Sequence, residues 1–525
     1  MHAEITVRTP KSDADWIKLA EELTPQASPA DSLLLTLLQR LRAAGAVSIL
    51  QECGYIDRDF SSSYSEFYST LFEPYRKFCR RVHFFSDDVA ACVGHADVRK
   101  RVSALEALSD RYLGNIVIRP VDHAPVSSAH LAASVLAGGQ LQEVQVKSRF
   151  KFHVMGVEFH VDAAPLTQQD TRTGACAQAS IWMAGRHLHN RRGAPWFSVV
   201  DITKIALRPI DSGITRSLPA GSEWLTDDNI VRALRSMGRH PVTYRRNAAG
   251  NWLTPPAEVI SRYLDSGIPV LLGLHEKTAA LGHAVLAVGT ERAPIPIAPA
   301  GGGTTAEFVT HFLVNDDQRG PYCRLAIQSA DRGTYPFTIE SDLVVLIVPL
   351  PDKVFMKAET AELGAVKALE RLANTRLPLA QRVLGGARPW NVEPGFYDDV
   401  AQHRTMRRTY LTFGWRYKAR AVRNSLSNDL KEELLETQFP RFVWVTEFYS
   451  PGGSVAAAGS QRPVMAHAVI DATGSRFSDS PLVLDAPGIS LIWRYDPTGK
   501  EPSSQRTILA DPVWSPSQPK IRGSF

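Results

Sequence analysis

The spacing of apolar positions first points to a helix. Residues 31–44 (DSLLLTLLQRLRAA) repeat leucine at intervals of three and four, which predicts an amphipathic helix with Asp31 placed to cap it. Short apolar runs at 46–50, 82–85 and 112–119 (YLGNIVIR) predict buried strands, so the first ~140 residues read as an α/β or α+β lead-in part. Two β-rich stretches follow at 143–152 and 157–161. A polar loop at 167–174 then opens into a helix at 176–187. Farther on, 224–236 and 256–265 carry a helical period, while 269–274, 284–289, 312–314 and 343–348 read as strands. The segment 292–305 (RAPIPIAPAGGGTT) is a low-complexity insertion that predicts an exposed hairpin tip.

Beyond residue 349 the pattern changes again. A long helical stretch at 352–374 is followed by a loop at 385–395, a helix at 426–436 and strands at 442–448, 465–471, 482–485 and 491–495. The expected organisation is therefore three consecutive parts, 1–140, 141–350 and 351–525. This division suits 525 residues at a prior of about 150 per domain. With 44% apolar and 22% charged residues, the chain reads as globular and soluble. A net charge of +5, from 59 basic and 54 acidic residues, does not call for a nucleic-acid or membrane partner. The segment MHAEITVRTPKSDADW lacks the apolar stretch of a secretory signal, and no run approaches the ~18 apolar residues of a membrane span. Five cysteines without a CxxC pair support neither a zinc knuckle nor a disulfide framework. A cytoplasmic protein without metal or organic cofactor is expected.

Candidate chemistry concentrates in three stretches. In 165–187 (PLTQQDTRTGACAQASIWMAGRH), Cys176 stands at the first turn of a predicted helix, where unpaired backbone N–H groups and the helix dipole favour a thiolate. Small neighbours (Gly174, Ala175, Ala177, Ala179 and Ser180) let a carbonyl approach the sulfur. In 267–289 (GIPVLLGLHEKTAALGHAVLAVG), His283 begins an apolar strand and shares a face with Val285 and Ala287, well placed to act as base. In 312–320 (FLVNDDQRG), an apolar strand ends in Asn315, Asp316 and Asp317. One of these could accept from the imidazole, with Asp316 the first choice and Asn315 and Asp317 the alternatives.

Cysteine in GACAQAS, histidine in GHAVLAVG and aspartate in VNDDQRG, in that order, resemble the papain-like cysteine peptidase superfamily, and within it the bacterial C39-like peptidases. GIPV at 267–270 fits the same pattern. Three departures stand out: Ala177 follows the nucleophile where glycine is common, Asp317 replaces a proline, and glutamine lies at −7 (Gln169) or −8 (Gln168) instead of −6. The resemblance covers roughly the central 200 residues. It implies an α+β chain in which a papain-like domain, a nucleophile helix packed on an antiparallel sheet, is flanked by N- and C-terminal α/β domains. It further implies acyl transfer by a triad of Cys176, His283 and Asp316, with Gln169 (Gln168 the alternative) and the Cys176 N–H stabilising the oxyanion. Water as acceptor makes a peptidase acting on peptide or protein substrates, an amine a transglutaminase-like enzyme, and a side-chain amide substrate a deamidase. A catalytically silent papain-fold binding module is the alternative from another class. No ATP-binding motif or transporter segment accompanies the motifs.

Two further stretches compete for attention. His467 and Asp471 share a strand face in MAHAVIDATG but lack a nucleophile turn, and Cys323 reads as a packed strand cysteine. Residues 404–423 hold seven basic residues and no acidic one, interleaved with Tyr410, Phe413, Trp415 and Tyr417. Such interleaving suits single-stranded nucleic acid. The expectation here is instead an arginine-rich face packed on protein, with the C-terminal part free to recognise a protein partner.

Overall fold

A computed structural model describes residues 4–24, 32–137, 139, 141–170, 175–208, 225–275, 282–293, 301–376, 395–424, 426–450, 464–474, 481–494 and 504–508. Helices and largely antiparallel sheets are mixed along the chain, an α+β composition. The chain divides into two compact units. The first holds 1–245, 269–291 and 311–349; the second holds 246–268, 292–310 and 350–525. Of the three parts expected from sequence, residues 1–140 and most of 141–350 thus fall in the first unit. Residues 351–525 join two shorter segments in the second.

The first unit opens with an antiparallel sheet of β1 (Ile5–Arg8), β2 (Ser48–Tyr55), β3 (Cys79–Phe85), β4 (Tyr112–Ile118) and β5 (Val126–Leu131), in that order. The helix Leu33–Ala43 is capped by Ser32, whose side chain accepts from Leu35 N at 3.1 Å; Asp31 lies outside the described residues. After β6 (Gln142–Val144), the hairpin of β7 (Ser148–Val154) and β8 (Val157–Ala163) turns alternate residues inward. Phe159 packs 5.4 Å from Phe85 and 5.0 Å from Tyr112.

A second sheet carries the candidate site. Its strands are β9 (Arg239–Arg245), β10 (Val270–His275), β11 (Gly282–Arg292), β13 (Val309–Asp316), β14 (Gly320–Ala326) and β15 (Leu343–Pro351), in the order β14-β13-β11-β10-β15-β9. β6 pairs with the far end of β11. There Gly289 is required, because a Cβ would stand 2.4 Å from the Glu143 carbonyl oxygen. The helix Cys176–Arg192, buried on almost every side from Cys176 to Leu188, belongs to the same unit. Trp182 Nε1 donates to Asp59 at 3.0 Å, and the Ser148 hydroxyl meets His187 Nδ1 at 2.8 Å.

The second unit is built on the order β12 (Gly303–Thr304), β16 (Met406–Phe413), β17 (Phe442–Tyr449), β18 (Ala466–Asp471), β19 (Pro481–Ala486), β20 (Ile489–Arg494) and β21 (Ser504–Ile508). β12 corrects the hairpin-tip expectation at its C-terminal end. Gly303 and Thr304 pair in parallel with Met406 and Arg407, and Thr304 is buried; residues 294–300, like most of the 385–395 loop, lie outside the described residues. The helix expected at 352–374 begins later, at Ala358, and runs to Arg371. The basic segment divides into β16 and the helix Gly414–Arg423, and its first arginines are matched to acids. Arg408 makes a two-pronged bond to Asp265 (2.9 and 3.0 Å), and Arg407 and Arg262 converge on Glu362 at 2.8–2.9 Å. His467 is buried, with Tyr417 Oη at 2.9 Å and Asp485 at 3.4 Å, while Asp471 accepts from Thr473. No helix among the described residues is long and apolar enough to cross a membrane.

The Arg408–Asp265 pair yields a stability prediction. Both side chains are buried, so Asp265→Ala leaves a guanidinium without its main counter-charge and is expected to cost about 3–5 kcal/mol in chemical denaturation.

Candidate active site

Cys176 is the first residue of its helix, and Ala175 precedes it in extended conformation. Ala175 has no side-chain oxygen to cap the helix. The N-terminus is instead closed from within, Gln178 Oε1 accepting from Ala175 N at 3.2 Å. One turn on, the Ser180 hydroxyl donates to the Ala284 carbonyl at 3.0 Å. That bond ties the helix that begins at Cys176 to the residue after His283 and sets the two elements in register.

His283 sits near the start of β11, opposite Leu274 of β10, with about 10% of its side chain exposed. Its Nε2 lies 3.0 Å from Asp316 Oδ2, and the Cys176 thiol lies beside the imidazole, the two lining one cavity and interacting closely enough to raise the imidazole pKa. The ring of Phe337 stacks on it at 5.8 Å and 24°. Asp316 has no exposed surface, and its oxygens are fully engaged. Oδ2 accepts from His283 and from the Tyr335 hydroxyl at 2.7 Å; Oδ1 accepts from Gln318 N at 2.8 Å and Arg319 N at 3.1 Å. The Arg319 guanidinium stands 3.6 Å from Oδ2. The turn that presents these donors needs glycine at position 320, where φ is +109°.

The electrostatics follow from this packing. Burial works against the charged form of His283, but the hydrogen bonds to Asp316 and Cys176 and the acids beside it outweigh burial and raise its pKa to about 10. Burial likewise opposes the charge on Asp316, yet its bonds to His283, Tyr335 and Gln318 hold it to about 2. Asp317 differs: burial and the neighbouring Asp316 charge push it up to about 7. His283, Asp316 and Asp317 bring ligand atoms within 4.8 Å of one another. Nε2 and both Asp316 oxygens already take part in hydrogen bonds, and we assign no metal to the cluster.

The structure therefore brings Cys176, His283 and Asp316 together. Of the alternatives, Asn315 turns elsewhere: it donates to the Pro165 carbonyl at 3.0 Å and accepts from Tyr322 N at 3.1 Å, clamping the chain at Pro165. Asp317 Oδ1 stands 3.9 Å from Nε2. Gln168 is spent on β5, its Oε1 accepting from Val126 N at 3.0 Å. Gln169 is half-buried, and no described hydrogen bond ties up its amide or joins it to the thiol. Cys323 donates to the Gly320 carbonyl at 3.5 Å. Sequence reasoning missed Tyr335, Phe337, Arg319 and Ser180. Tyr335 and Phe337 alternate in GTYPFTI, a period of two that places both on one side of the chain.

A cavity of about 240 Å³ opens beside the pair, lined by Ala175, Cys176, His283 and Ala284 and walled mainly by Ile230, Leu271, Leu274, Val345 and Ile347. Compared with protein-family models and with curated proteins, the sequence matches none.

This geometry singles out one thiol. Burial raises the pKa of Cys79, Cys92 and Cys323, the last to about 12, whereas Cys176 borders the cavity and the His283 imidazole, whose pKa is raised. Limiting iodoacetamide at neutral pH is expected to label Cys176 before the other four cysteines, as read by peptide mass mapping. His283→Ala should slow that labelling by about tenfold or more.

Proposed function

We propose that the chain is a cysteine-dependent hydrolase, most simply a peptidase of papain-like kind akin to the bacterial C39-like peptidases, acting on peptide or protein substrates. One observation carries the reading: a nearly buried imidazole bonded to a fully buried carboxylate lies beside the thiol that begins a buried helix, the thiol and the imidazole lining one cavity. In the first step the Cys176 sulfur attacks the substrate carbonyl carbon. The tetrahedral oxyanion is met by the Cys176 backbone N–H and, in this reading, by the Gln169 amide. His283, holding the proton taken from the thiol, delivers it to the departing amine as the C–N bond breaks, leaving a thioester. Water then gives a proton to His283 as it attacks the thioester, and the thiol is regenerated with release of the acid. Asp316 keeps the imidazole oriented and favours its charged form without reacting. The apolar walls of the cavity offer room for an uncharged acyl portion. We place the activity in a reducing compartment, the cytoplasm, where the five free thiols persist.

The test compares peptides released from a denatured proteome by wild type, Cys176→Ala and His283→Ala. Both variants should lose all turnover, whereas Asp316→Asn should keep a remnant, with kcat lower by on the order of 10²–10⁴. Wild type cleaving nothing, with a Cys176 no more reactive than the other cysteines, would make the chain a silent binding module.

The pH dependence supplies a second check. Because Asp316 helps raise His283 towards about 10, activity that needs the imidazolium is present below that value and lost as pH rises through it. Asp316→Asn removes the supporting charge, so the alkaline limb of kcat/KM should move towards neutrality.

A further inference from the structure

The proposed mechanism leaves one buried acid unused. Asp317 follows Asp316 at the end of β13 and has no exposed surface, and neither of its carboxyl oxygens meets a hydrogen-bond donor from another described residue. Buried polar groups in native proteins almost always have partners, so a buried carboxyl without a donor from another described residue, beside the Cys176–His283 pair, points to a role. Its Oδ1 stands 3.9 Å from His283 Nε2, too far for a hydrogen bond yet close enough for a strong charge interaction where water is scarce.

The groups that act on Asp317 come from three places. His283 faces it from β11, Asp316 adjoins it on β13, and Arg319 reaches back from the turn, while the Tyr335 hydroxyl is committed to Asp316. His283 and Arg319 favour ionisation of Asp317; burial and Asp316 oppose it. A local backbone interaction also favours the charged form but supplies no second residue. The balance leaves this carboxyl able to gain or lose its proton near neutrality, unlike Asp316, which stays charged.

We propose that Asp317 is a positioning residue that acts through His283: its ionised carboxylate holds the imidazole in the protonated form, and its protonated form withdraws that support. The inference rests on the reading of His283 as the proton carrier for Cys176. It adds that the carrier answers to two carboxyls, one permanently charged and one switchable. It also gives a role to the residue that stands where the related peptidase motif has proline.

The experiment follows the charge on His283 directly. Wild type and Asp317→Asn are labelled with ¹³C-histidine, the His283 signal is identified by its loss in His283→Ala, and both proteins are titrated. Alkylation of Cys176 by iodoacetamide is measured across the same pH range, with Cys176→Ala as the blank for the other thiols. His283 should titrate about one pH unit lower in Asp317→Asn, the size expected for loss of a neighbouring charge at this distance. The wild-type alkylation profile should carry an inflection near pH 7 that the variant lacks. Superimposable His283 titrations would overturn the proposal and leave Asp317 an inert buried acid. A wild-type Cys176 no more reactive than the other cysteines would sink the hydrolase reading instead, and the two failures are read from different signals. Should Asp317→Asn fail to fold, infrared difference spectra of wild type against Asp317→Glu decide. A protonated-carboxyl band attributable to position 317, present near pH 6 and gone near pH 8, supports the proposal, and its absence throughout refutes it.

Discussion

A carboxylate cut off from water must be neutralised where it lies, and the Asp316 side chain imposes that demand on one end of the first unit's sheet. Its oxygens collect an imidazole from β11, a phenol from the segment after β14, and two backbone N–H groups from the turn that follows it. These donors come from separate stretches of chain, so the sheet end, the turn and the approach to β15 close together or not at all. A charged group of this kind is worth little as an isolated contact, because desolvation offsets most of the attraction. Its effect is to make alternative arrangements costly, since each would leave the charge short of donors.

The thiol meets this constraint from the other side. A helix buried on nearly all faces could slide along its axis without much change in apolar contact, because neighbouring turns bury similar surfaces. Directional bonds remove that freedom: Ser180 to the Ala284 carbonyl, Trp182 to Asp59, and His187 to Ser148. The segment before the helix is pinned too, by Asn315 at Pro165, by Gln168 at Val126, and by Asp170, which accepts from Tyr68 and meets His123. Sulfur and imidazole are held by contacts that spread outward into the sheets of the first unit.

How much of this could be read in advance depended on range. The helix Pro256–Asp265 and the strands β10 and β15 follow local rules: proline at a helix start, Ser-Gly after its end, and unbroken apolar runs in strands. The cysteine, histidine and aspartate stretches were legible for the same reason, each being a local pattern of small or apolar residues around one polar group. β5 and β16 were not. β5 reads VSSAHL, and Ser127 is acceptable inside because its hydroxyl reaches Asp57, some seventy positions away. β16 begins with arginines whose charges are met by Asp265 and Glu362. Where a buried polar group is satisfied by a distant partner, hydrophobic periodicity misreads the strand. The same holds for Tyr335, whose hydroxyl finds Asp316 only once the chain has closed.

The interleaving of the two units bears on how such a chain can be made and inherited. The backbone passes between them at 245/246, 268/269, 291/292, 310/311 and 349/350, so no single cut separates the two units. During synthesis, the segment carrying Arg262 and Asp265 leaves the ribosome before His283. Glu362 and Arg408, which neutralise these two side chains, follow 100 and 143 residues later. An early stretch of one unit must therefore wait, partly unsatisfied, while the histidine and aspartate of the other are completed. Loss of residues 350–525 would strand 246–268 and 292–310 without the rest of their unit inside the chain that carries Cys176 and His283, which ties the evolutionary fate of the C-terminal sheet to that of the cysteine site.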